Sequence, residues 1–161
     1  MKTGKNVYGH PPFSEWNWRS YDGKREVNLD DFVARHLDDL FFIGTDSQNK
    51  RTCVFTTALI AYKMGLGGSI IIFRQKVPYI ESLRQRLLME AMRSLETAWY
   101  IDKNIPDKNL ITIHLDVNKN LKFKSGKYKN ELVGLITGQG FLACVKPDAW
   151  AASGAADKKC K

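Results

Sequence analysis

Asp46 and Asp116 are the two residues of this 161-residue chain whose placement points most directly to chemistry. Asp46 ends the apolar run Phe41-Phe42-Ile43-Gly44-Thr45-Asp46, and Asp116 stands near the end of Leu110-Ile111-Thr112-Ile113-His114-Leu115-Asp116-Val117-Asn118. A carboxylate at the end of a buried strand is costly unless something neutralises it. A divalent cation is one neutraliser, and two such strands lying side by side can share it. The competing reading takes both residues as caps of strand ends in turns.

Cationic residues crowd the second Asp. Asn118 to Lys129 reads NKNLKFKSGKYK, with Lys119, Lys122, Lys124, Lys127 and Lys129. This loop either guides a phosphate backbone toward Asp116 or is simply solvated. Lys146 and Lys158 are further candidates for phosphate contact. Ser47 and Gln48 follow Asp46 and suit a hydrogen bond to a backbone or the orientation of a water. His114 alternates onto the Asp116 face, where it would shuttle a proton or be a buried, hydrogen-bonded side chain. The formal net charge of +8 favours an anionic partner.

The elements that position these residues follow from periodicity. Residues 1–28 form an irregular arm whose Tyr8, Phe13, Trp16, Trp18 and Tyr21 cover the core or stack on bases. Leu29, Phe32, Val33, His36, Leu37 and Leu40 predict a helix over 29–40, capped by Asn28 or Asp30. Strands are expected near 41–46, 52–63 and 68–76, joined by turns at Gln48-Asn49-Lys50 and at Gly65-Gly67-Gly68, as an antiparallel meander. Pro78 opens a helix over 79–103 with Ile80, Leu83, Leu87, Ala91, Leu95 and Ala98 on one face. A strand at 109–117, a helix near 128–138, a strand at 141–145 and a helix from Pro147 complete the chain. Helical crossovers make the last two strands parallel to their neighbours. The fold class is thus α/β, a mixed five-stranded sheet with three antiparallel strands, then two parallel ones, and helices on both faces. Length sets a single domain, residues 29–161 behind the 1–28 arm. No run is long and apolar enough to span a membrane and no leader pattern is present, so the expected location is cytoplasmic. Cys53, Cys144 and Cys160 form no metal or disulfide spacing.

With these elements in order, the chain resembles the ribonuclease H-like superfamily, and within it the YkuK-type family of largely uncharacterised bacterial proteins. The residues carrying the resemblance are Ile43-Gly44-Thr45-Asp46-Ser47-Gln48, His114-Leu115-Asp116-Val117-Asn118, Gly134-Leu135-Ile136-Thr137-Gly138-Gln139-Gly140-Phe141 and the run from Lys146-Pro147-Asp148 to Asp157-Lys158. The match runs from about residue 18 to 161. The resemblance implies that Asp46, a helix Glu, Asp116 and Asp157 bind two Mg²⁺ or Mn²⁺ ions and that the protein hydrolyses phosphodiester bonds of RNA, DNA or RNA–DNA hybrid. Glu81, Glu90 and Glu96 are the candidates for the helix acid. Glu90 is favoured, because it borders the apolar face that packs on the sheet. Asp157 is either the fourth ligand or a solvated residue near the chain end. The alternative function is a nucleic-acid-binding module on the same fold without efficient cleavage. A third is an interaction protein using the sheet edge and the arm.

Overall fold

The computed structural model describes residues 11–118, 120, 122–146 and 148–149. Three long strands follow one another as a meander: β2 (Leu40–Asn49), β3 (Thr52–Lys63) and β4 (Gly67–Pro78). Their antiparallel register is continuous from Leu40↔Tyr62 to Asn49↔Cys53 and from Thr52↔Pro78 to Lys63↔Gly67. The first turn falls at Lys50 and Arg51, later than expected, with the Lys50 N–H donating to Thr52 O at 3.0 Å. Asn49 is held in the strand by its own side chain. Its Nδ2 donates to Ile80 O at 2.6 Å, and the Ile80 N–H donates back to Oδ1 at 3.1 Å. At the other turn Gly65 and Gly67 both take positive φ, a backbone that a side chain would strain.

The same clamp explains why the long helix starts late. With β4 paired through Pro78 and Ile80 pinned to Asn49, helix α2 runs Leu83–Asp102, not from 79. Ser82 caps it by accepting from the Gln85 N–H. Leu87, Ala91, Leu95 and Ala98 recur at helical spacing and are buried against the sheet. Strand β5 (Ile111–Asn118) then pairs parallel to β2, and β6 (Leu142–Lys146) parallel to β5. Between them helix α3 (Lys129–Gly138) packs on β5 and β6 and touches α2. The crossovers are those the sequence predicts. The helix expected from Pro147 onward lies outside the described residues.

Two expectations change near the start of the chain. Helix α1 spans only Leu29–Ala34, with the Asp31 N–H donating to the Asn28 cap. His36 leaves the helix, and its Nδ1 pairs with Asp39 Oδ2 at 2.6 Å, so Leu40 is free to open β2. The arm also supplies a strand. β1 (Arg19–Ser20) pairs antiparallel with Ile72 and Ile71 of β4, which makes the sheet six-stranded, not five, in the order β1-β4-β3-β2-β5-β6. Its single strand signal, two residues long, is too short for periodicity to reveal.

The described aromatics of the arm go to the core, and Tyr8 lies outside the described residues. Trp16 and Trp18 are 6% and 2% exposed, which leaves no ring face for a base. Trp16 stacks on Phe73 with centroids 4.5 Å apart, and Phe13 bridges Trp16 to Tyr100 of α2. They join one large cluster with Phe41, Ile43, Leu95, Ile111 and Ile136. Trp16→Ala should therefore lower the unfolding free energy by about 3–5 kcal/mol, read from urea unfolding. Unchanged stability with weakened nucleic-acid binding would return Trp16 to the base-stacking role.

Candidate active site

Parallel β2 and β5 are in register from Phe41↔Ile111 to Gly44↔His114. Asp46 and Asp116 each come two residues beyond that last pair. Alternation puts Asp46 on the face of Phe42, and Asp116 on the face of His114. The Phe42 and His114 rings touch, 5.2 Å between centroids, so these faces are one side of the sheet. The two carboxylates therefore stand on the same side, just past the paired segment of two adjacent parallel strands; Asp46 does not end its strand as expected, because pairing with β3 carries β2 on to Asn49. Ligand crevices of open α/β sheets form outside the carboxyl ends of parallel strands.

The other face of β2 meets α2 through polar side chains. Thr45 Oγ1 bonds Ser94 Oγ at 2.8 Å and Thr57 Oγ1 at 2.9 Å. One turn earlier on the helix, Ser47 Oγ donates to Glu90 Oε1 at 2.5 Å. Glu90 is 7% exposed. Burial pushes its carboxyl up to about 8; the Ser47 hydrogen bond opposes that rise, and the Asp116 charge adds to it. Glu90 and Asp116 are thus electrostatic neighbours across a gap of about 10 Å³ shared with Thr45, Ser94 and His114. That space holds one water at most, not a hydrated cation. Of the other helix acids, Glu81 is exposed and precedes α2. Glu96 lies beside Arg93, and partial burial raises its carboxyl.

Asp116 already has a cation. Its Oδ1 lies 2.6 Å from Lys146 Nζ, and Lys146 ends β6 in register with Asn118. Lys146 therefore serves first as counter-ion to Asp116, where the sequence suggested a phosphate contact. Asp46 is 8% exposed. Among the described residues no three His, Cys, Asp or Glu side chains converge on a metal position. Asp157, Lys119 and Lys158 lie outside the described residues.

Ser47 turns toward the helix and is committed to Glu90, so it does not face the Asp46 side as expected for a water-orienting group. Gln48 keeps the Asp46 face by alternation and is half-buried. His114 is 2% exposed, and burial lowers its imidazole to about 4, so it is neutral at pH 7 and sits as a core ring against Phe42. Lys122, Lys124 and Lys127 are exposed and Lys129 half-buried, at the start of α3. The loop that carries them is tied back on itself. The Asn120 N–H donates to Asn118 Oδ1 and the Lys122 N–H to Asn120 Oδ1, both at 3.0 Å, and the Asn118 N–H donates to Ser125 Oγ at 3.3 Å. The lysines are thus presented directly after β5. Two arginines of α2 escape sequence reasoning. Arg93 is enclosed over the Phe55 ring and bonds Met89 O and Gln75 Oε1. Arg86 lies 3.4 Å from Ser47 Oγ through Nη1. The available signal was two arginines, Arg84 and Arg86, in a helical first turn without an acid, against the helix dipole.

Comparison with known proteins places this geometry in context. A family model described as "Ribonuclease H-like" matches residues 28–161. "Uncharacterized protein YkuK" of Bacillus subtilis (strain 168) is 32% identical over 126 residues, covering 68% of this chain and 72% of the relative. No solved structure matches. No helix among the described residues is long and apolar enough to cross a membrane.

The Glu90 environment has a measurable consequence. Its folded value, about 8, lies above its ordinary 4.5, so the native state binds the extra proton. Stability from this group is full below about pH 4.5 and is lost as pH rises through 8. Glu90→Gln keeps the Ser47 hydrogen bond without titrating. In chelator, urea unfolding from pH 5 to 9 should show the variant gaining on wild type as pH rises. Parallel curves would mean that Glu90 is ionised in the fold.

Proposed function

The chain belongs to the ribonuclease H-like family, and from that footing we propose that it is a metal-dependent nuclease hydrolysing phosphodiester bonds of RNA, DNA or RNA–DNA hybrid. The family match by itself supports a nucleic-acid-related role. The observation that carries the finer reading is the shared placement of Asp46 and Asp116, on one side of the sheet two residues past the last β2–β5 pair, with Glu90 as neighbour of Asp116. Carboxylate oxygens are the donors that Mg²⁺ and Mn²⁺ prefer. That Asp116 already attracts the Lys146 ammonium supports its role as a cation-binding group. Asp46 and Asp116 would hold the metal, with Asp157 as the further acid that the family resemblance suggests, whereas Glu90, expected as a ligand, bonds Ser47 on the α2 side of β2 and is an electrostatic neighbour of Asp116. Two bound ions would supply the charge that activates water and stabilises the leaving oxygen. The protein's own part is to aim these acids from rigid strands and to present Lys122, Lys124, Lys127 and Lys129 beside them for the phosphate backbone. Ser47 orients Glu90 and His114 fills the sheet beneath.

A second reading is favoured by the same ion pair. With Lys146 neutralising Asp116 and no third ligand converging among the described residues, the fold would suit a binding module that cleaves poorly. Two measurements separate them. Under Mg²⁺ or Mn²⁺, Asp46→Asn and Asp116→Asn should each slow cleavage of a labelled RNA, DNA and hybrid panel by more than about 100-fold, the scale for groups around a metal, while nucleic-acid affinity in chelator is kept. Cleavage at wild-type rate by either variant would end the metal reading, and binding without cleavage by the wild type would favour the second. Replacing Lys122, Lys124 and Lys127 by Ala should weaken binding to every sequence and flatten the log-affinity against log-salt slope by up to about one unit per lost contact. An unaltered slope would put the binding surface elsewhere.

A further inference from the structure

Three arginines of α2 are used in three different ways. Arg84 is answered by Glu131 of α3, its Nε donating to Oε2 at 3.2 Å and its Nη2 contacting Oε1. Arg93 is buried, with a carbonyl, a Gln side chain and a ring as partners. Arg86 has neither kind of settlement. It is half-buried one turn before Glu90, forms no ion pair among the described residues, and its Nε is buried without an acceptor. Its one hydrogen bond is a long 3.4 Å contact from Nη1 to Ser47 Oγ. A guanidinium carries five N–H donors in a fixed fork that matches phosphate oxygens. A cation in the first turn of a helix is unfavourable beside the positive end of the dipole; Glu90 one turn on feels its charge, yet no carboxylate oxygen lies within ion-pair distance of Arg86 among the described residues.

We propose that Arg86 is a phosphate-binding residue, with spare guanidinium donors that take one phosphodiester of a nucleic-acid strand lying at the carboxyl end of β2. Several facts make the position suitable. Arg86 donates to Ser47, the residue directly after Asp46, and the clamp of Asn49 on Ile80 fixes the approach of α2 to that strand end. The opposing charge of Asp116 is met by Lys146. The Lys122–Lys129 segment, which follows β5 and leads into α3, would add further phosphate contacts. The inference rests on the nucleic-acid reading above, and it adds the residue that would fix where a strand's backbone sits relative to Asp46.

Arg86→Met and Arg86→Lys test it, with binding of a short single-stranded oligonucleotide measured in chelator so that metal plays no part. Arg86→Met should weaken binding about 10-fold or more, the size of a lost charge-assisted hydrogen bond, and reduce the salt slope by about one unit. Arg86→Lys should restore the slope and only part of the affinity, because the fork is lost. Wild-type affinity and slope in Arg86→Met would overturn the proposal. So would a lowered urea midpoint with binding intact, which would make Arg86 a structural counter-charge for Glu90. If the wild type does not bind the oligonucleotide, the nucleic-acid reading fails, and inorganic pyrophosphate becomes the probe. A thermal shift with pyrophosphate in wild type but not in Arg86→Met would keep Arg86 as an anion site. No shift in either would overturn it.

Discussion

The Ser47–Glu90 hydrogen bond, with its companions from Thr45 to Ser94 and Thr57, is the constraint on which the functional end of this molecule depends. Most of α2 is held by apolar contact, which is non-directional and tolerates sliding. The polar seam does not. A buried hydroxyl or carboxyl without a partner costs about 1–3 kcal/mol, so a helix shifted by one residue along β2 would strand several such groups at once. The seam therefore sets the helix height on the strand. It thereby fixes where Glu90 stands relative to Asp116 and how near Arg86 comes to the end of β2.

The seam also divides the labour of β2. Odd positions Thr45 and Ser47 hold the helix, while even positions Asp46 and Gln48 are left for the other side. One strand thus serves as both scaffold and site, because side chains alternate. The design has an electrostatic consequence. Glu90 lies on the enclosed side, where burial favours its neutral form, whereas Asp116 lies where Lys146 can reach it.

Much of this was legible in the sequence because alternation and helical spacing are local. The order of strands, the parallel crossover to β5, the face of α2 and the position of Glu90 on it all follow from periods of two and 3.6. Asp46 and Asp116 could be paired because both close apolar runs. What could not be read depends on contacts distant in sequence. Lys146 reads from the sequence as a phosphate contact, and only the pairing of β6 with β5 brings it to Asp116. Arg86 carries no signal in the sequence, because its contact with Ser47 joins residues 39 apart in the chain. The late start of α2 was hidden because it comes from Asn49, 31 residues before Ile80 in chain order. The early end of α1 was hidden because Leu40 satisfies both a helical and a strand pattern, and pairing with Tyr62 decides between them.

The two-residue strand β1 has a consequence for how copies of this protein meet one another. It pairs only Ile71 and Ile72 of the twelve-residue β4, so among the described residues most of that outer strand has no neighbour on its free side. An unpaired strand edge is a template for adding another chain's strand. The sequence of β4 answers this hazard. Arg74 and Lys76 are exposed cations, and Pro78 removes a donor at the end. Self-association along this edge would set like charges against each other. The apolar middle of the strand, where no charge stands guard, is the stretch that β1 covers. The arm thus covers the apolar segment of this border among the described residues, while the two carboxylates stand on β2 and β5, strands that have neighbours on both sides.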